Sequence, residues 1–250
     1  MIEQTVDIPT KDGKTTTFIV HPDRGGPFPV IVFYMDAPAI REELRDMARR
    51  LATSGYYVML PNMYYRDGVM ELGALPSDPM HPSARRCSSH EQPHHPAGDG
   101  RHRCADEIHR AATQCQQGQD GLRRLLHERA IRHQRRRALS RPETAAASIY
   151  GTKLVSDAEN SPHLMAQKAK GEIYIGCAEH DSYVPMEMIQ QLKKTIQDKK
   201  INAELEIYPG VHHGFAFPQR PVYDKASAER HWERLLSLYA RKLKGENNGR

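Results

Sequence analysis

Two loops carry residue types that together do acid–base chemistry. One, Gly176-Cys177-Ala178-Glu179-His180-Asp181-Ser182-Tyr183-Val184-Pro185, puts Asp181 at its mouth; the other, Tyr208-Pro209-Gly210-Val211-His212-His213-Gly214-Phe215, does the same for His213. A carboxylate bonded to one imidazole nitrogen fixes the tautomer and stabilises the imidazolium, while the other nitrogen takes the proton of a nucleophile. An acid preceding a histidine in the chain is the order of the second half of an α/β-hydrolase triad. The plainer reading makes Asp181 a helix cap and His213 an ordinary loop histidine. Their joint placement after two successive strands favours the pair. The four cysteines supply no evident partner. Cys87, Cys104 and Cys115 lack flanking glycines and a preceding apolar strand, and Cys177 reads as loop packing. Nor do they form a metal site, which needs ligands paired as in C-x₂₋₄-C with H-x₃₋₅-H. The three are spaced 17 and 11 apart, and His90, His94 and His95 have no cysteine pair beside them.

The flanking segments supply the elements such loops require. Thr15 to Val20 is a β-branched run, and Pro29 to Met35 reads as a short buried strand. Glu42 to Ser54 has Leu44, Met47, Ala48 and Leu51 at helical spacing, with Gly55 as its stop. Further strands are expected at Tyr56–Leu60, Ala145–Tyr150, Glu172–Ile175 and Glu204–Tyr208. Helices are expected around Met188, Ile189, Leu192 and Ile196, and over Val222–Leu243. Arg41, Arg45 and Arg49, at spacing four, read as a solvated helix face. Ser161-Pro162-His163 reads as a helix start with Ser161 at the N-cap, making His163 structural. Strands alternating with helices give an α/β class with a mostly parallel sheet covered on both faces. Chemistry then belongs at the carboxyl ends of the strands.

The G-x-x-x-x-D-x-x-V-P and Y-P-G-x-x-H-G-F loops, with YMDAPAIREEL and LPNMYYRDG, resemble the dienelactone hydrolase family over roughly residues 1–81 and 144–245. The resemblance implies an α/β-hydrolase fold without metal or organic cofactor, and hydrolysis of a small ester or lactone. In that family a cysteine on a strand-to-helix elbow forms an acyl-enzyme that water then cleaves. It makes Asp181 and His213 the acid and base, sets Asp36 where a glutamate usually stands near the thiol, gives the Ala37 amide an oxyanion-donor role, and gives Arg66 a substrate carboxylate to hold. A second arginine expected four positions after the histidine is Phe217 here, with Arg220 nearby.

The elbow itself is missing from the place where it belongs. An elbow needs small residues around its nucleophile, and no such motif stands between Pro61 and Ala145. Residues 82 to 143 are peculiar in other ways: 13 Arg and no Lys against 7 acids, seven of the 14 His, six Leu or Ile, and no Val, Phe, Met, Trp or Tyr. Arg124 to Ala130 can be encoded CGG CTA CTG CAT GAG CGG GCG; read one base later this gives Gly-Tyr-Cys-Met-Ser-Gly. The stretch from His90 similarly permits Met-Ser-Ser-Leu-Thr-Ile-Pro-Leu-Val-Met-Ala-Asp. Segment 83–142 therefore reads as a +1 frameshifted translation of an ordinary hydrolase.

Charge follows the same division. The chain of 250 residues has a net charge of +5 and a mean hydropathy of −0.71. The window alone carries +6, leaving −1 for the rest, so the balance does not identify an acidic partner. The Arg132–Arg141 run lacks interleaved aromatics, and no specific nucleic-acid partner is expected. No apolar run reaches the ~18 residues of a membrane span, and the N-terminus lacks a secretory apolar core, so a cytoplasmic location is expected. The expected organisation is one hydrolase domain over 1–245, interrupted at 83–142, with a disordered tail at 246–250. The alternative is a catalytically inactive relative that keeps the half-site as a ligand pocket.

Overall fold

The computed structural model describes residues 1–10, 12–68, 145–159, 161–169 and 171–244. The segment 83–142, with Cys87, Cys104 and Cys115, and the tail 246–250 lie outside the described residues. The chain divides into two compact units, Met1–Glu128 and Arg129–Arg250.

In the first unit, β1 (Ile2–Thr10) and β2 (Gly13–His21) form an antiparallel hairpin, closed at Thr10 opposite Gly13. β3 (Val30–Val32), α1 (Glu42–Thr53) and β4 (Tyr57–Pro61) follow as a β-α-β unit with parallel strands, giving the sheet order β1-β2-β4-β3. All five residues of β4 are buried, as expected of a strand covered on both faces. Ile8, Ile19, Tyr57 and Met59 form a core cluster. α1 buries Leu44, Ala48, Leu51 and Ala52, carries Glu42 and Glu43 in its first turn, and stops at Ser54 before Gly55 at φ +87°. β3 is shorter than the apolar run Pro29 to Met35, because the chain turns away at Phe33 once its amide has bonded to the Met59 carbonyl.

The second unit is a three-stranded parallel sheet in the order β5 (Ala145–Ile149), β6 (Glu172–His180), β7 (Ala203–His212). Its helices are α2 (Pro162–Met165), α3 (Met186–Asp198) and α4 (Lys225–Tyr239), the last running into a π turn at Ala240–Lys244. α3 packs Ile189 and Leu192 with Ile175, Cys177 and Val184 of the β6 side. β6 runs five residues past Ile175, and its continuously buried stretch Tyr174–Ala178 includes Cys177. That cysteine is therefore strand core rather than loop packing. α4 starts three residues later than Val222 because Asp224 accepts the Ser227 amide at 2.7 Å and caps it.

Two plain expectations change. Arg41 is not on a solvated face: it is the residue before α1, only 2% of its side chain is exposed, and it pairs with Asp36 and Glu43. Arg45 and Arg49 do lie on the helix surface, paired with Glu42. Ser161 stands at the N-cap of α2 without a side-chain cap bond. Its hydroxyl instead takes the Ser156 amide and shares a 2.7 Å hydrogen bond with His163 Nδ1. No helix among the described residues is long and apolar enough to cross a membrane.

Candidate active site

β6 and β7 are parallel neighbours whose last residues, His180 and His212, are register partners. Asp181 and His213 are the next residue of each strand, so the pairing that builds the sheet also brings the acid to the histidine. The register slips on the way: Ala178 faces Tyr208, yet His180 faces His212. The two additional β7 residues form a bulge through Pro209 and Gly210, with Gly210 at φ +70°, where a side chain is disfavoured. The Gly210 amide donates to Glu179 Oε2 at 2.7 Å and ties the bulge to β6. Glu179 is a participant that its sequence position did not reveal.

The Asp181 side chain is fully buried, and its Oδ2 lies 2.7 Å from His213 Nδ1. Its Oδ1 accepts the Tyr183 amide at 2.9 Å, an Asx turn that fixes the carboxylate plane. α3 is preceded by Pro185 and takes no side-chain cap, so Asp181 is not the cap of that helix. A carboxylate only accepts, which makes Nδ1 the protonated nitrogen of His213 and leaves Nε2 with a lone pair. The His213 side chain is one-quarter exposed. Asp181 is thus held from within, and its imidazole partner reaches the surface.

Aromatic rings hold the imidazole. Tyr150 meets it edge-on at 5.1 Å between centroids, and Tyr183 lies at 4.9 Å. Tyr150 also meets Phe215 and Phe217, at 5.4 and 5.7 Å. It does so from the left-handed region, φ +41°, with its amide bonded to the Gly176 carbonyl at 2.7 Å. A tyrosine held in that region stores strain that surrounding contacts must sustain. Where the sequence has Phe217 in place of an arginine, the Arg220 guanidinium covers the Phe217 ring at 4.4 Å. Neither Tyr150 nor Tyr183 carries a motif of its own; only their positions, just after β5 and two residues past Asp181, could have marked them.

Cys177 lies in β6, four residues before Asp181. Burial first, and the nearby Asp181 charge second, push its thiol up to about 11. It is the one free cysteine among the described residues and is buried. A thiol so placed yields little thiolate at neutral pH.

In the first unit, Asp36 and Ala37 lie in the loop after β3, and Arg66 lies in the 3₁₀ turn Tyr65–Asp67 after β4. Both are at the carboxyl ends of parallel strands. Arg41 grips Asp36 with two bonds, Nη1 to Oδ1 at 2.6 Å and Nη2 to Oδ2 at 3.0 Å, and holds Glu43 through Nε at 2.9 Å. The two carboxylates raise the Arg41 pKa further despite its burial. The Tyr64 hydroxyl donates to the Ala37 carbonyl at 2.9 Å, and the Ala39 amide closes a turn onto the Asp36 carbonyl. Ala39 sits at φ +70° and is fully buried. The Asp36–Ala37 backbone is thereby set by contacts on both sides. Arg66 binds Asp12 at 2.6 Å and stacks over Tyr65 at 4.5 Å. Hydrogen bonding from Tyr65 and then from Arg66 holds the Asp12 carboxyl down at about 2.

A sequence model of the dienelactone hydrolase family matches residues 15–135 and 136–243. A protein of Escherichia coli K12, provisionally named a carboxymethylenebutenolidase, is 26% identical over 240 residues, covering 93% of this chain and 84% of its own. The similarly named protein of Methylorubrum extorquens AM1 is 26% identical over 251 residues, covering 96% and 81%. Among solved structures, a provisionally named dienelactone hydrolase from Klebsiella pneumoniae superposes with a TM-score of 0.70 at 19% identity, covering 96% of this chain and 98% of that one. A dienelactone hydrolase-like promiscuous phosphotriesterase from metagenomic libraries gives 0.62 at 16% identity, covering 96% and 98%. These structural likenesses establish the α/β-hydrolase fold.

Proposed function

Because the chain belongs to the dienelactone hydrolase family, we propose that Asp181 and His213 are the acid–base half of a site that hydrolyses a small ester or lactone. The observation that carries this reading is the 2.7 Å contact between His213 Nδ1 and the fully buried Asp181 carboxylate. Nε2, the nitrogen left with a lone pair, takes the proton of a thiol. The thiolate adds to the substrate carbonyl, and the tetrahedral oxyanion collapses to a thioester. The imidazolium returns its proton to the departing alkoxide. Water, deprotonated by the same nitrogen, then cleaves the thioester and regenerates the thiol. Asp181 stays ionised throughout and stabilises the imidazolium.

On this reading the chain as written lacks the elbow that would carry the nucleophile. Cys177 does not serve, being buried with a thiol near 11. The missing elbow is encoded, on this reading, one base out of frame, where Arg124 to Ala130 becomes Gly-Tyr-Cys-Met-Ser-Gly. The roles of Asp36, Ala37 and Arg66 toward substrate rest on the family resemblance. Their fixed backbone and ion pairs are compatible with an oxyanion donor at the Ala37 amide and an arginine that exchanges Asp12 for a substrate carboxylate.

Turnover of a small aryl ester tests the reading, with the chain as written beside one whose 83–142 segment is translated in the shifted frame. The expected result is negligible turnover by the former and turnover by the latter that His213→Ala reduces by at least about 10³-fold. His213-dependent turnover by the chain as written overturns the lost nucleophile. An active, frame-restored chain indifferent to His213→Ala overturns the acid–base assignment. Sequencing codons 80 to 145 addresses the frameshift directly: an open frame without compensating insertions or deletions refutes it.

A further inference from the structure

Two titratable side chains at the rim of the second unit have no part in the acid–base pair. His180 and His212 end β6 and β7 as register partners, each one residue before Asp181 or His213. Both are exposed. Their rings project together, with centroids 5.3 Å apart and planes tilted by 41°. Beside them, Glu179 Oε2 lies 3.9 Å from His180 Nε2, and the carboxylate is steadied by the Gly210 amide.

We propose that His180 and His212 form a binding site for an imidazole-preferring divalent ion of the zinc, nickel and copper class. The spacing supports this. With a metal–nitrogen bond of about 2.0–2.1 Å and roughly 1.1 Å from nitrogen to ring centre, each centroid lies about 3.2 Å from the ion; a tetrahedral angle then separates two centroids by about 5.2 Å. The observed 5.3 Å matches that separation. Neighbouring parallel strands fix the two backbones side by side, so only side-chain rotamers are left to order on binding. Glu179, with its carboxylate 3.9 Å from His180 Nε2, adds a negative charge that favours a cation. Among the described residues no group of three or more His, Cys, Asp or Glu converges on a metal position, so the pair supplies two ligands and water completes the shell. Neutral imidazole nitrogen selects this class over magnesium or calcium, which prefer oxygen. An ion held here ties together the ends of the two strands that deliver Asp181 and His213. The inference stands whether or not a nucleophile is present.

Titration calorimetry of the full chain with Zn²⁺ tests it, comparing the unmodified protein with His180→Ala and His212→Ala. Loss of an outer-shell partner alone costs 10–100-fold in affinity; each variant is therefore expected to lose one bound equivalent or weaken it at least about tenfold. The seven histidines and three cysteines of segment 82–143 are present in all three proteins and cancel in the comparison. Electron paramagnetic resonance with one equivalent of Cu²⁺ provides a second readout, with the two-imidazole signature falling to one or none in either variant. Zinc isotherms and copper spectra unchanged by both substitutions overturn the proposal.

Discussion

Cys177 shows how a residue type can mislead. Free cysteine in an enzyme suggests a nucleophile, and this one lies four residues from the proposed catalytic acid. Yet a nucleophile needs thiolate, and here burial and the Asp181 charge both oppose its formation, pushing the thiol up to about 11. The sign is plain: below that value the protonated, unreactive form dominates. Ellman's reagent at pH 8 is expected to modify Cys177 in the native chain orders of magnitude more slowly than in denaturant, followed by mass mapping of the labelled cysteine. Rapid native labelling at Cys177 would reopen it as a nucleophile. Asp181 is a buried carboxylate whose two oxygens are both engaged, by the His213 ring and the Tyr183 amide. Asn at this position keeps the backbone contact through its carbonyl but turns an N–H toward His213, reversing the tautomer. In the frame-restored chain Asp181→Asn is expected to lower kcat by about 10³–10⁴-fold while leaving the thermal midpoint nearly unchanged. A full loss of folding, or retained kcat, would contradict the assigned role.

The loop from β3 into α1 depends on a residue that spacing alone assigned to solvent. Arg41 is four positions from Arg45, but it precedes the helix, and its guanidinium is buried between Asp36 and Glu43. Removing one member of a buried ion pair strands its partner's charge, at about 3–5 kcal/mol. Arg41→Ala is expected to cost that much in urea unfolding, because the Glu43 side chain is only 4% exposed and solvent reaches it poorly. An Arg41→Ala chain that unfolds within about 0.5 kcal/mol of the parent, the range of an ordinary surface substitution, would place Arg41 back among the solvated arginines. The same element shows what was readable. Leu44, Ala48 and Leu51 repeat with the helical period, and Gly55 marks the stop, so α1 is legible to within a residue. The positions of Asp181 and His213, each in a loop after a strand and in that chain order, were legible in the same way, and the structure brings the two side chains into contact. β6 was read short because Gly176 to His180 has neither alternation nor an apolar run to extend it. The grip of Arg41 on Asp36, the Glu179 clamp on Gly210, and the rings of Tyr150 and Tyr183 around His213 were not legible. Each depends on which segments the fold brings together, and no period in the sequence encodes that.

Across the whole chain the excess charge falls in the window where the proposed reading places the lost elbow. The +6 window holds about a tenth of its residues as Leu or Ile and no other large apolar side chain, well below the roughly 20% associated with self-folding segments. On the proposed frameshift, codons compatible with this window permit Leu-Thr-Ile-Pro-Leu-Val-Met-Ala and a glycine-flanked cysteine in the shifted frame. One frame thus gives an arginine-rich polar segment, and the other gives apolar segments able to bury area at ~25 cal/mol per Å². A few hundred Å² of additional burial is comparable to the 5–15 kcal/mol margin of a domain. The frame-restored chain is therefore expected to unfold in one steeper transition, at a midpoint at least about 5 °C above that of the chain as written, since 1 kcal/mol moves a domain of this size by about 2–4 °C. Its isoelectric point should fall at the same time from 9.0, because on the proposed frameshift a codon read one base later than any of the 13 window arginine codons begins with G and no longer encodes arginine. Differential scanning calorimetry and isoelectric focusing read the two effects independently. A fall in isoelectric point without a gain in stability would mean that the window contributes charge but replaces nothing buried; the lost-elbow reading would then fail with it.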